Sequence, residues 1–258
     1  MFLVISPTFT GESFDYERSE VGDVRSLSNN LPIELVRKEW NPDSGLLRLD
    51  YEIEATINTA TLSNIDYYFH NRYASDPTDE LEYEYIRVNP RYFVLLVKNV
   101  PQGFQVLGTG IDPTFIEPDI ESDTNMEERT IQYFFYEEDM VLNEDLVEQS
   151  LNHYQISWLE LQKKDLSHAI EDNDELIRLS KVRIGNIEKS IQESNSDTTF
   201  MTDTEIEKLA DDLIELENDI TQEEVNIQQL EEENLVLNER ISLYKEQIKS
   251  IEQSLSDE

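Results

Sequence analysis

The sequence contains no cysteine, which excludes disulfides, zinc ribbons and thiol catalysis and leaves the redox compartment unreadable. Positive charge is scarce as well: 20 Lys and Arg stand against 57 Asp and Glu, a net charge of −37. Nucleic acids and anionic membrane surfaces are recognised by clustered bases, so neither is expected as a partner. No apolar run approaches the roughly 20 residues that a membrane helix needs. The opening Met1-Phe2-Leu3-Val4-Ile5 has no basic segment before it and is stopped by Ser6 and Pro7; it suits a first strand better than a signal peptide. A soluble protein without a signal peptide is expected, cytoplasmic or carried in a virion.

Catalytic and ligand signatures are missing too. The three histidines, His70, His153 and His168, have no metal-site spacing and no nucleophile motif beside them. The acidic run with Asp119, Glu121, Asp123 and Asn125 has alternate-residue ligand spacing but lacks the Gly and the terminal Glu of a calcium loop, so it reads as a solvated connection. Gly108-Thr109-Gly110 is followed by no helical pattern and reads as a turn, not a phosphate loop. The aromatic cluster Tyr67, Tyr68, Phe69 and Tyr73 has the chemistry to stack on a sugar ring, although strands bury such residues routinely. No catalytic residue, metal or cofactor is expected.

What is present falls into two parts. Residues 1–142 alternate as short strands bounded by Pro, Asn, Asp and Gly, and predict an antiparallel β-sandwich or barrel. Leu46 to Ala55 alternates apolar and charged residues, the pattern of a strand with one wet face. The turn Asn41-Pro42-Asp43-Ser44-Gly45 joins it to Ile33–Trp40 as a hairpin, because Pro fixes φ, Asp bonds the local backbone and Gly accepts positive φ. Further strands are expected at 65–70, 81–88, 91–98, 104–107 and 130–136.

Residues 143–258 predict a long antiparallel coiled-coil hairpin with helices at about 143–193 and 203–256; the competing reading is a parallel dimer, which Asn234 at an a position would specify. With Ile206 at position a, the repeat runs through Leu213, Ile220, Ile227, Asn234, Ile241, Ile248 and Leu255, with Leu209, Leu216, Glu223, Leu230, Leu237, Tyr244 and Ile251 at d. The first helix carries the stripe Val147, Leu151, Tyr154, Trp158 and Leu161, then, after a phase slip near Asp165, Leu166, Ile170, Ile177, Ile184, Ile187 and Ile191. Pairs whose numbers sum to 400 near the bend, such as Ile187 with Leu213, and to 402 beyond the slip, such as Trp158 with Tyr244, align the stripes. Asn234 then lies opposite Leu166, and Lys181 and Arg183 pair with Glu217 and Asp219. Thr202 or Thr204, each followed three residues later by Glu, caps the second helix.

Several apolar residues escape this scheme. Phe200 and Met201 sit in a polar bend, Leu176, Leu179 and Val182 lie off the stripe of the first helix, and Val225, Leu235 and Leu243 off that of the second. Exposed apolar side chains mark contact surfaces. The expected role is therefore non-enzymatic: a structural or adaptor protein that docks through its β-domain and projects the hairpin toward other proteins of a homo- or hetero-oligomeric assembly. An acidic, cysteine-free head with a stalk resembles in broad architecture the structural proteins of tailed-phage particles, such as baseplate, neck or fibre-attachment subunits. The alternative is an acidic inhibitor that mimics nucleic acid. Its charge, however, divides evenly at Leu142, with 27 acids and 10 bases before and 30 and 10 after, which suits solubility better than one dedicated face.

Overall fold

A computed structural model describes residues 16–27, 31–53, 59–117, 130–194 and 201–256. The chain divides into two compact units, one ending at Tyr154 and one starting at Gln155. The first is built on antiparallel sheets and the second on two long helices that pack together, so the class is α+β. The strand expected at Met1–Ile5 and the acidic run around Asp119–Asn125 lie outside the described residues.

The first sheet follows the order β1 (Val24–Ser26), β2 (Pro32–Asn41), β3 (Leu46–Ile53), β7 (Tyr92–Val97), β6 (Tyr83–Asn89), with β10 (Val141–Leu142) added parallel to β2. The second runs β5 (Asp76–Glu80), β4 (Ile65–Tyr73), β8 (Val106–Phe115), β9 (Ile131–Tyr136); a single-turn helix α1 (Thr59–Ser63) precedes β4. The hairpin of β2 and β3 closes at Asn41 and Leu46. Asn41 Oδ1 accepts from the amides of Asp43 and Ser44, and Gly45 takes φ +69° with a Cβ position only 3.0 Å from the Val100 carbonyl oxygen, so no side chain fits there.

Residues of both sheets share one apolar core that includes Leu35, Leu49, Tyr51, Phe93, Tyr67, Phe69, Leu107 and Tyr133. Rings meet from sheet to sheet: Tyr51 and Tyr133 at 5.3 Å, Tyr67 and Phe93 at 5.0 Å. The face of β3 expected to be wet is dry. Arg48 and Asp50 are 4% and 0% exposed. Burial opposes the Arg48 charge, but the Asp50 carboxylate outweighs it and its pKa is raised. Two guanidinium nitrogens of Arg48 donate to Asp50 at 2.8 and 2.7 Å, the Tyr92 hydroxyl adds a third bond at 2.6 Å, and the Arg48 guanidinium lies 4.9 Å from the ring centre of Tyr154. Charges alternating with apolar residues signify water only when nothing pairs with them; here each finds a partner, and burial becomes tolerable.

The segment expected to open the first helix is instead bound to β2. Asn41 Nδ2 donates to the carbonyls of Glu144 and Leu146, and the Asn143 amide donates to the Trp40 carbonyl. These bonds hold the backbone in a turn, and helix α2 begins eight residues later, at Leu151, extending to Ser194. Val147 and Leu151, placed on its stripe by periodicity, are exposed.

Helix α3 (Asp203–Ser256) starts where the capping residues direct it. Thr202 Oγ1 accepts from the Glu205 amide at 3.4 Å while Glu205 Oε2 accepts from the Thr202 amide at 2.8 Å, the reciprocal box. Its a and d positions are covered apart from Ile206, and nearly all others are exposed. On α2 the covered stripe is continuous through Ile156, Leu159, Lys163, Leu166, Ile170, Asn173, Ile177, Ser180, Ile184, Ile187 and Ile191. No phase slip occurs at Asp165. Three of these positions are polar, so a search for apolar residues alone breaks a repeat that is intact.

Contacts settle the direction and register of the pair. Asn173 Nδ2 donates to Asn234 Oδ1 at 3.0 Å, Arg183 bonds Glu223, and the rings of Trp158 and Tyr244, the pair expected from the sequence at that end, lie 6.4 Å apart. Numbers fall along α3 as they rise along α2, so the helices are antiparallel. The asparagine pair sums to 407, not 400, a displacement of one heptad. Asn234 faces Asn173 instead of Leu166, and the same offset carried toward the bend sets Ile187 level with Ile220 instead of Leu213. Lys181 and Arg183 accordingly reach Glu231, at 3.8 Å, and Glu223 instead of Glu217 and Asp219.

Candidate functional site

The first unit carries a trough on the outer face of its four-stranded sheet. Residues of β8 that point away from the core are Val106, Gly108, Gly110 and Asp112, and two of them have no side chain. Strand register places His70 and Gln132 on either side of Gly110, and Arg72 and Phe134 on either side of Gly108. The glycines make a floor and their neighbours make walls, enclosing about 490 Å³. A Cβ on Gly108 would sit 3.3 Å from the Phe134 ring, and one on Gly110 3.2 Å from Thr130 Cγ2. Gly108-Thr109-Gly110 is thus the middle of a strand and not a turn: glycine there lets a facing ring and methyl pack closely, and a side chain would have to push them aside by a few tenths of an ångström.

Charges in the trough are paired. His70 bonds Glu80 through Nδ1 and Asp112 through Nε2, both at 2.9 Å, so one imidazole on β4 ties in β5 and β8. The bond to Glu80, helped by Asp112, raises the His70 pKa above its ordinary value and lowers that of Glu80. Thr130 Oγ1 donates to Asp112, and Arg72 reaches Glu80 at 3.5 Å. At one end the Tyr16 ring stacks on Phe134 at 4.4 Å with 46% of Tyr16 exposed. Strand alternation divides the aromatic cluster seen in the sequence: Tyr67 and Phe69 are buried in the core, and Tyr68 points outward.

On the helical unit, Leu176, Leu179 and Val182 are 50%, 45% and 51% exposed, and Met201, beside the start of α3, is 38% exposed. Phe200 lies outside the described residues. Val225, Leu235 and Leu243 are exposed as their positions predict, and Ile214 and Val236 join them. Leu235, Val236 and Leu243 fall at b and c of the repeat, away from the partner helix. Inside the pair, Glu223 is buried at a d position; the Ser180 hydroxyl and Arg183 bond it and lower its pKa. The trough was missed because its residues come from positions near 70, 110 and 132. The signal that was available is two glycines two apart in a strand pattern, hence on one face.

A family model described as the PXO2-05-like domain matches residues 24–147, from the first residue of β1 through the segment bound to β2. An uncharacterized protein of Bacillus anthracis, pXO2-05, is 28% identical over 195 residues, spanning 74% of this chain and 69% of its own. Because 74% of 258 residues exceeds the 154 that end at Tyr154, this similarity runs into the helical unit. No solved structure matches.

Proposed function

We propose that the protein is a non-enzymatic structural or adaptor component of a larger protein assembly, its β-domain docking on one partner and its helical pair engaging another. The particle of a tailed phage is one such setting. In this reading the two sheets, which share a core, form a β-sandwich, and the helices, whose covered residues keep strict heptad spacing, form a coiled coil. The observation that carries it is the set of exposed apolar side chains on the helices. Leu176, Leu179 and Val182 sit outside the covered repeat about half exposed, and leaving that half of each in water forgoes roughly 1 kcal/mol. Such residues persist where a partner covers them. The second role, mimicry of nucleic acid, draws less support, since bases of α2 pair with acids of α3 at Lys181 and Arg183.

Sedimentation of the protein from cells that produce it tests the role. The natural protein should migrate with a particle much heavier than 30.2 kDa, and the triple change Leu176→Ser, Leu179→Ser, Val182→Ser should release it as free chains with an unchanged melting temperature. Migration of the natural protein as free monomer would refute the proposal.

A further inference from the structure

We infer that the trough along β8 is a binding site for a neutral, linear oligosaccharide. The inference rests on the trough itself and not on the assembly role. Three features select the ligand class. The first is shape: from Val106 to Asp112 the floor runs ~20 Å along one strand at 3.3 to 3.4 Å per residue, which admits an extended chain and not a compact metabolite. Glycine at 108 and 110 keeps that floor low, so that the Phe134 ring and the Thr130 methyl close on it as an apolar wall. The second is charge: His70, Arg72, Glu80 and Asp112 are paired with one another, so a charged ligand would have to break ion pairs, whereas a neutral one meets donors and acceptors already balanced. The third is the wall: the stacked Tyr16 and Phe134 offer apolar ring surface beside Gln132 and Thr130, and sugars present an apolar face edged by hydroxyls to this combination.

An extended peptide fits less well. Strand addition needs a free sheet edge, and the trough lies on a sheet face whose floor strand is paired on both sides, to β4 and β9. A peptide lying there would leave its own amides and carbonyls without backbone partners, a cost that sugar hydroxyls, met by side chains, avoid.

The test is titration of the isotope-labelled full-length protein with cellohexaose, chitohexaose and maltohexaose, and separately with a proline-rich decapeptide. At least one hexaose should shift the amide signals of residues 70–74, 106–112 and 130–134 with a dissociation constant of about 1 mM or tighter, unchanged at high salt because no net charge is engaged. The double change Arg72→Ala with Gln132→Ala, both side chains on the walls, should weaken that binding about tenfold with no change in melting temperature. Gly110→Val, which closes the floor, should abolish it, and circular dichroism shows whether that variant remains folded. Absence of shifts with all three sugars, shifts located elsewhere, binding unaffected by the wall variant, or saturable binding of the peptide alone would each overturn the inference.

Discussion

His70 bonds two carboxylates on two different strands, and a neutral imidazole has only one N–H to donate. The doubly bonded geometry therefore belongs to the protonated ring, and Glu80 and Asp112 favour that form, with Arg72, the cation nearest in the trough, bonded to Glu80 itself. A pKa raised on folding means stabilisation that is complete below the ordinary value of 6.5 and is lost as pH climbs through the folded value. In a proton NMR titration the His70 ring should therefore show a midpoint above 6.5. The melting-temperature advantage of the natural protein over His70→Gln should shrink as pH passes that midpoint. A midpoint at or below 6.5 would show that the carboxylates do not hold the ring. None of this chemistry was visible in the sequence, where His70 lay alone among aromatics; Glu80 and Asp112 reach it through strand pairing. The same holds for Arg48 and Asp50: their alternation with apolar residues specifies a strand, but the face they occupy is dry because each charge finds a partner there.

Periodicity located the long helices to within a residue or two at their facing ends, because a and d spacing is a local property that each helix carries alone. The register was a different matter. A strict heptad repeat superimposes on itself after seven residues, so sums of 400 and 407 align apolar stripes equally well, and only unequal layers separate them. Asn173 facing Asn234 is the unequal layer: in the alternative register each half-buried amide would meet an apolar side chain and lose its partner, at a cost of about 1 kcal/mol each. Two pairs of engineered cysteines discriminate the registers. Ile187→Cys with Ile220→Cys should oxidise within one chain, and Ile187→Cys with Leu213→Cys should not; the reverse outcome would restore the sum of 400. In the natural background Asn234→Leu alone should destabilise the helical pair, since Asn173 loses its acceptor.

At the scale of the whole chain the two units differ in what sustains them. The first has a core that spans two sheets, and residues 143–154 belong to it through Asn41, Leu146 and the ring of Tyr154 over Arg48. A chain ending at Tyr154 should therefore unfold cooperatively. One ending at Leu142 should melt lower, because Arg48 and Asp50 lose part of their cover; equal melting temperatures would remove the docked segment from the core. What the sequence determined alone was set by near neighbours along the chain: the hairpin at Pro42–Gly45, the strands β2, β3, β4, β6, β7 and β9, the capping box at Thr202 and the heptad stripe of α3. Each depends on residues two to seven apart, whose types impose backbone geometry or a common face. Only tertiary structure decided which strand faces are dry, where α2 begins, which heptads are level and that a trough exists. Those outcomes depend on pairs such as Asn41 with Leu146, Asn173 with Asn234 and His70 with Asp112, whose separations along the chain carry no periodic signal and whose energies arise only once the strands and helices have met.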